Sequence, residues 1–269
     1  MLILTIFYIS ASDDENILKR VHAYSSEIYT SGDWKYQLNE KGQVIITQYT
    51  GSETELTIQQ IDGKDVIAIG ELAFQCNHVL ERVTLGEGIQ RIEKHAFSNC
   101  ENLQEINLPD SLTFIDEYTF ELCYSLKQIT LPKNLQNIDG KIFGYVRPDK
   151  VDLSEENPYF VKDNGIIFDA NFTTVLFSSK NELLENVILP ETVTQIGDYA
   201  FADCYQVKHI PLPKSLKSIG TSAFDGCVNI EEIQLPEGVE FLGEYAFKGL
   251  TIEEITIPKS VIEVGTGVF

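Results

Sequence analysis

The side chains best suited to chemistry in this chain are four histidines, His22, His78, His95 and His209, and five cysteines, Cys76, Cys100, Cys123, Cys204 and Cys227. An imidazole beside a thiol can make a nucleophile, and three or four such groups at set spacings hold zinc. Neither pattern occurs. His78 and His95 stand at different points of the surrounding pattern, so nothing in the sequence makes them converge. There is no H-E-x-x-H, no G-x-S-x-G, no phosphate-cradling loop and no D-x-D-x-D-G calcium loop. Gly86-Glu87-Gly88 is explained by a turn, and Asn171-Phe172-Thr173 is a glycosylation sequon that matters only in a eukaryotic secretory pathway. The sequence therefore predicts no catalytic residue, no metal and no cofactor.

The cysteines instead mark a rhythm. Four of them follow a phenylalanine by three residues, and Cys76 follows one by two. Those phenylalanines are Phe74, Phe97, Phe120 and Phe143, then Phe201, Phe224, Phe247 and Phe269, spaced by 23 residues within each run except for a last step of 22. A fixed period of this size means a repeat architecture. One unit, Leu103 to Ser125, reads L-x-x-I-x-L-P-x-x-L-x-x-I-x-x-x-x-F-x-x-C. The next keeps Leu126, Ile129, Leu131, Pro132, Leu135, Ile138 and Phe143, and later ones keep Val207 to Cys227 and Ile230 to Phe247 in the same register.

Ile and Leu two apart are strand periodicity, and the proline that follows ends the strand because it has no N–H for the ladder. A second apolar pair such as Leu112 and Ile115 follows. A small-plus-aromatic step such as Ala96-Phe97 or Ala223-Phe224 then fits a tight turn or a one-turn helix. One such coil cannot bury its apolar side alone, whereas stacked coils share a continuous core. In that stack the cysteines are expected to be buried, unbridged thiols, since identical positions have parallel side-chain vectors.

The fold expected is thus a repeat solenoid, mainly β with short helical turns. The skeleton resembles the leucine-rich repeats of the BspA-like (Treponema-type) subfamily over roughly residues 34–269. The L-P strand ending, the I-G-x-x-A-F step (Ile69-Gly70 to Phe74, Ile196-Gly197 to Phe201) and the recurrent Cys carry the resemblance. So do two flanking segments, Tyr36 to Gly63 and Asn157-Pro158-Tyr159-Phe160 to Phe168. The resemblance implies a right-handed curved solenoid with a parallel sheet along its concave side. It also implies a secreted or cell-surface interaction or adhesion role, with an extracellular or host protein as partner.

Along the chain, residues 1–33 form an N-terminal segment, 34–55 a capping hairpin, 56–143 repeats, 144–183 an interruption, and 184–269 repeats again. Met1 to Ile9 followed by Ser10-Ala11-Ser12 reads either as a secretory signal or as a plain apolar start, and Asp13 to Tyr29 has helical spacing. The interruption reads either as a loop on the binding face or as a lengthened coil that keeps the stack going. The chain ends on the repeat phenylalanine, which suggests continuation or end-to-end association. No run of 18 apolar residues exists, so no membrane span is expected. A net charge of −21 argues against nucleic acid and favours a basic partner.

Side chains that point outward from the L-x-x-I-x-L strands are the candidate binding residues: Glu81, Arg82, Gln104, Glu105, Lys127, Gln128, Lys208, His209, Glu231, Glu232, Glu253 and Glu254. Stacked strands would place the last four side by side, an arrangement tolerated in water and suited to a basic segment or a cation. Few aromatics join this set, which counts against a sugar platform there. A separate tyrosine column, Tyr118, Tyr199 and Tyr245, is expected to pack between coils or to form a contact strip.

Overall fold

The computed structural model describes residues 27–180, 182 and 185–269. The apolar start, and the helix expected from Asp13 apart from its last few residues, lie outside the described residues. An antiparallel meander opens the fold: β1 (Tyr29–Ser31), β2 (Trp34–Leu38) and β3 (Val44–Tyr49). β4 (Glu55–Ile58), β5 (Gln60–Ile61) and β6 (Lys64–Ile69) follow. Each of the next repeats then gives two strands: β7 (Arg82–Leu85) and β8 (Arg91–Ile92), β9 (Glu105–Asn107) and β10 (Phe114–Ile115), β11 (Gln128–Leu131) and β12 (Asn137–Ile138). The interruption holds β13 (Lys150–Leu153), β14 (Phe160–Asp163), β15 (Ile166–Asp169) and β16 (Thr174–Ser178). The later repeats give one short strand each: β17 (Gln195–Ile196), β18 (Ser218–Ile219), β19 (Phe241–Leu242) and β20 (Glu263–Val264).

Two parallel ladders therefore run along the solenoid. The first comes from the L-x-x-I-x-L segments as β4–β7–β9 and, separately, β11–β13. The second comes from the second apolar pair as β3–β6–β8–β10–β12 and then β16–β17–β18–β19–β20. The second ladder is the more continuous, whereas the sequence had placed the sheet in the first. In the later repeats the first ladder shrinks to a lone bridge, Asn186 to His209. Pro211 stands where Thr130 stands in β11, and its missing N–H removes one rung.

Between the ladders the phenylalanines stack. Phe74 and Phe97 lie 4.8 Å apart, and Phe224 and Phe247 5.7 Å, with nearly parallel rings. The meander closes one end of this column through Trp34 and Tyr49, which both pack on Phe74. Each fully buried ring contributes about 2 kcal/mol.

The turn around each phenylalanine is not helical, and no helix occurs among the described residues. The residues two before and two after the ring have positive φ: Leu72 and Cys76, His95 and Asn99, Tyr118 and Leu122, Tyr199 and Asp203. This conformation aims alternate N–H groups at the next coil: Leu72 to Lys94 O, Phe74 to Ala96 O, Cys76 to Ser98 O. A helix would spend those donors within its own coil. Joining coils outweighs a backbone cost of about 1–2 kcal/mol per left-handed residue. Gly226 and Gly249 occupy the same position with no such cost.

Cys100, Cys123 and Cys227 are buried free thiols, and each donates to a phenylalanine carbonyl of the preceding coil at 2.9–3.2 Å. Burial pushes the Cys100 thiol up to about 12. Cys204 is likewise buried and free, but Cys76 is exposed. Its offset from the phenylalanine is two rather than three, which turns it to the outer side of the turn.

The interruption continues the stack as a lengthened coil. β11 pairs with β13, and β16 pairs with β17, both in parallel. Phe177, outside the 23-residue rhythm, meets Phe143 edge-on at 5.6 Å and so extends the ring column. The β14–β15–β16 sheet serves two cores: Ile167 and Phe177 join the first array, Ile166, Phe168 and Val175 the second. Arg147 is buried at this join. Its Nη1 donates to Ser178 Oγ at 3.0 Å and Ala200 O at 2.9 Å, and burial lowers its pKa.

Candidate binding face

Alternation along the first ladder buries Val83 and Leu85 and leaves Thr84 outside, and β9 and β11 repeat the pattern. The outward residues form the face expected from the sequence. At its start Arg82 pairs with Glu55 and, at 3.8 Å, with Glu81. Arg82 holds the Glu55 carboxyl below its ordinary range.

The face opens between β9 and β11. No backbone hydrogen bond joins these two neighbours among the described residues, although each is paired on its other side. A cleft of about 610 Å³ lies over this seam. Gln104, Glu105, Lys127 and Gln128, four of the predicted site residues, line it, together with Asn107 and Thr130. Ser154 also borders a second cleft of about 650 Å³, so the two adjoin as one groove. Lys162 and Glu182 flank the far part, paired at 2.9 Å.

Between the two parts, Asp152 accepts hydrogen bonds from Gln128 Nε2 at 2.8 Å, Lys150 Nζ at 2.7 Å and Lys162 Nζ at 3.1 Å. Partial burial pushes its carboxyl up, but the two ammonium groups outweigh this and hold it below the ordinary range. Lys150, Asp152, Lys162 and Glu182 were not picked out from the sequence because they fall in the interruption. Val151-x-Leu153 repeats the strand pattern and could have flagged them.

In the later repeats the predicted residues are exposed or half-buried. Lys208 pairs with Glu185 at 3.1 Å, and His209 Nε2 lies 3.8 Å from Glu231. A smaller cleft of about 320 Å³ separates the His209 segment from that of Glu232. Glu231, Glu232, Glu253 and Glu254 are exposed, on coils that form no ladder strand there. Among the described residues no group of three or more His, Cys, Asp and Glu side chains is placed to hold a metal ion.

The other candidates disperse. His78 faces Glu101, and His95 faces Glu121 while stacking on Tyr118. The tyrosine column is not a strip: Tyr199 is buried, with Tyr118 and Tyr145 set edge-on around it at 6.4 and 4.9 Å, while Tyr245 lies apart under Lys248. Burial, with the Tyr118 and Tyr145 hydroxyls, pushes the Tyr199 phenol above its ordinary range.

Parallel ladders around a stacked ring column define a leucine-rich-repeat solenoid. The chain belongs to the BspA type leucine-rich-repeat family, whose profile matches residues 45–163 and 166–269 in 6 copies. Solved structures share the fold. The pneumococcal vaccine antigen PcpA is 21% identical, with a TM-score of 0.65, over 89% of this chain and 78% of that one. A leucine-rich repeat protein from Eubacterium ventriosum is 20% identical, with a TM-score of 0.61, over 88% and 75%. One from Bacteroides ovatus is 24% identical, with a TM-score of 0.52, over 90% and 62%. No curated protein matches the chain significantly. No helix among the described residues is long and apolar enough to cross a membrane.

Proposed function

We propose that this chain is a non-enzymatic protein-binding module of a secreted or cell-surface protein, and that it engages its partner through the groove over β9, β11 and β13. The repeat family supplies a protein-interaction scaffold. Likeness to a vaccine antigen supports the surface placement. The carrying observation is that four residues chosen from the sequence for their outward position line one wall-to-wall cleft. Glu105, Asn107, Gln128 and Thr130 stand on strands, which fixes the direction of their side chains before binding. The −21 charge draws basic partners over distance and makes association salt-sensitive.

The test is binding of the purified chain to an array of extracellular-matrix proteins and glycans at low and physiological salt. The expected result is a protein hit that weakens with salt and drops at least about tenfold in Glu105→Lys, a loss of about 1.4 kcal/mol. A hit confined to glycans would replace this reading with a carbohydrate-binding module. Silence on both would leave a structural spacer.

A further inference from the structure

Building on that reading of the groove, we propose that its occupant is a basic, extended polypeptide segment that pairs main chain to main chain with the open seam between β9 and β11. The alternation of a parallel ladder fixes which groups face the seam. Gln104 and Glu105 donate back to Glu81 O, so Ile106 turns its N–H and C=O the other way. On the opposite lip Lys150 donates to Lys127 O, which leaves the main chain of Gln128 and Thr130 facing β9. Two short strand edges thus confront each other without bonding, and an unpaired edge is a template for another strand.

The opening is not forced by residue type. No proline interrupts either lip, and Glu105 stands opposite Gln128 with Asn107 opposite Thr130, so no like charges repel. Seating a strand between the lips takes a separation of roughly 10 Å, twice the spacing of paired strands, so binding must spread them against the Lys133–Asp110 ion pair and the Asn134 Nδ2 bond to Asp110 O beside them. Behind them β10 is paired with both β8 and β12, and Phe97 stacks on Phe120 at 6.0 Å, contacts that lie away from the lips.

Charge selects the occupant. In the groove Asp110 is held by Lys133 and Glu182 by Lys162, but among the described residues Glu105 and Glu155 are in no ion pair. One groove cation, Lys127, is also without an ion pair. Two carboxylates outside any ion pair, Glu105 accepting only from Asn107 Nδ2 at 3.4 Å, against one such ammonium, in a chain of net charge −21, favour a basic segment.

A peptide library displayed on phage, selected against the full chain at low salt, supplies the probe. The selected peptide is then measured on a Thr130→Pro variant, which removes an N–H that faces the seam and puts on this lip the residue that Pro211 supplies at the same repeat position of a later coil. The expected result is an affinity loss of at least about tenfold, and similar losses when alternate peptide nitrogens are N-methylated. Unchanged affinity in Thr130→Pro, or indifference to N-methylation, overturns main-chain pairing. If Glu105→Lys and Glu155→Lys then still weaken the same peptide, the groove survives without the seam. If they do not, or if no peptide is selected, the groove reading falls as well.

Discussion

The repeats before the interruption and those after it share one skeleton but hold their coils together differently. The first array is tied by two parallel ladders as well as by its turn segments, the second by one ladder and the turns. In both, the rings stack and the positive-φ turns pass hydrogen bonds to the next coil. The difference lies on the outward face alone. Core and turn are therefore sufficient to stack a coil, and the first ladder is left free to vary. A face not needed for stacking is a face on which a binding groove can open.

The largest test of this comparison falls on the sheet between the arrays. Phe177 is fully buried and belongs to the first core, while Phe168, on the neighbouring strand β15, belongs to the second. Phe177→Ala is expected to cost about 3–5 kcal/mol. In a solenoid, stability is a sum of units and nearest-neighbour interfaces, so weakening this interface should also split urea unfolding into two transitions. A single, unshifted transition would mean that the arrays are not coupled through this ring.

Arg147 joins the same two arrays by polar means. It bonds Ser178 on the interruption and Ala200 on the second array, with no carboxylate among its hydrogen-bond partners. Arg147→Met keeps volume but takes one donor from the Ser178 hydroxyl and one from Ala200 O, which still accepts from Ser178 Oγ, at a cost of about 1–2 kcal/mol in chemical denaturation. Stability equal to the parent would show that this guanidinium is a passenger.

Pro211→Thr asks whether the missing N–H is what limits the first ladder in the second array. Restoring a donor at the Thr130-equivalent position should add a rung to the coil of Val187, with a gain of about 1 kcal/mol or less. The direct readout is hydrogen exchange: the amides of residues 209–212 should slow. If they exchange as before, the missing donor is not what limits the ladder in the second array.

What was legible in the sequence follows from period and polarity. The 23-residue spacing pointed to the solenoid, two strand-like runs around Lys41-Gly42 pointed to the hairpin over Trp34 to Tyr49 though not to β1, and strand alternation pointed to the outward character of Gln104, Glu105, Lys127 and Gln128. The seam between β9 and β11 was not legible, since residues compatible with pairing stand on both lips. The helical turn was a misreading with a clear cause. Ala-Phe steps favour compact backbone, but only the coil-to-coil bonds decide between a helix and an alternating left-handed turn, and those depend on the neighbouring repeat. Phe177 escaped because it lies 34 residues after Phe143, outside the period.

The smallest effect expected concerns Asp139, where the first array meets the interruption. Burial pushes its carboxyl up, and the nearby Glu117 and Asp198 add to this against the Lys141 ammonium and a backbone donor. Lys141 still meets Asp198 at 3.2 Å and Glu117 at 3.6 Å without it. A carboxyl whose folded pKa is raised prefers its proton in the folded state. Its ionisation therefore destabilises the fold above that pKa, and the penalty vanishes as pH falls below the unfolded value near 4. Asp152 has the opposite sign: its lowered pKa contributes stability above about pH 4 that is lost as pH falls through the folded value. Asp139→Asn keeps an acceptor for the Lys141 N–H and removes the charge. It should raise the melting temperature by a degree or two at pH 7, well under 1 kcal/mol, and leave it unchanged at pH 3. A rise of equal size at both pH values would assign the gain to packing and not to the buried charge.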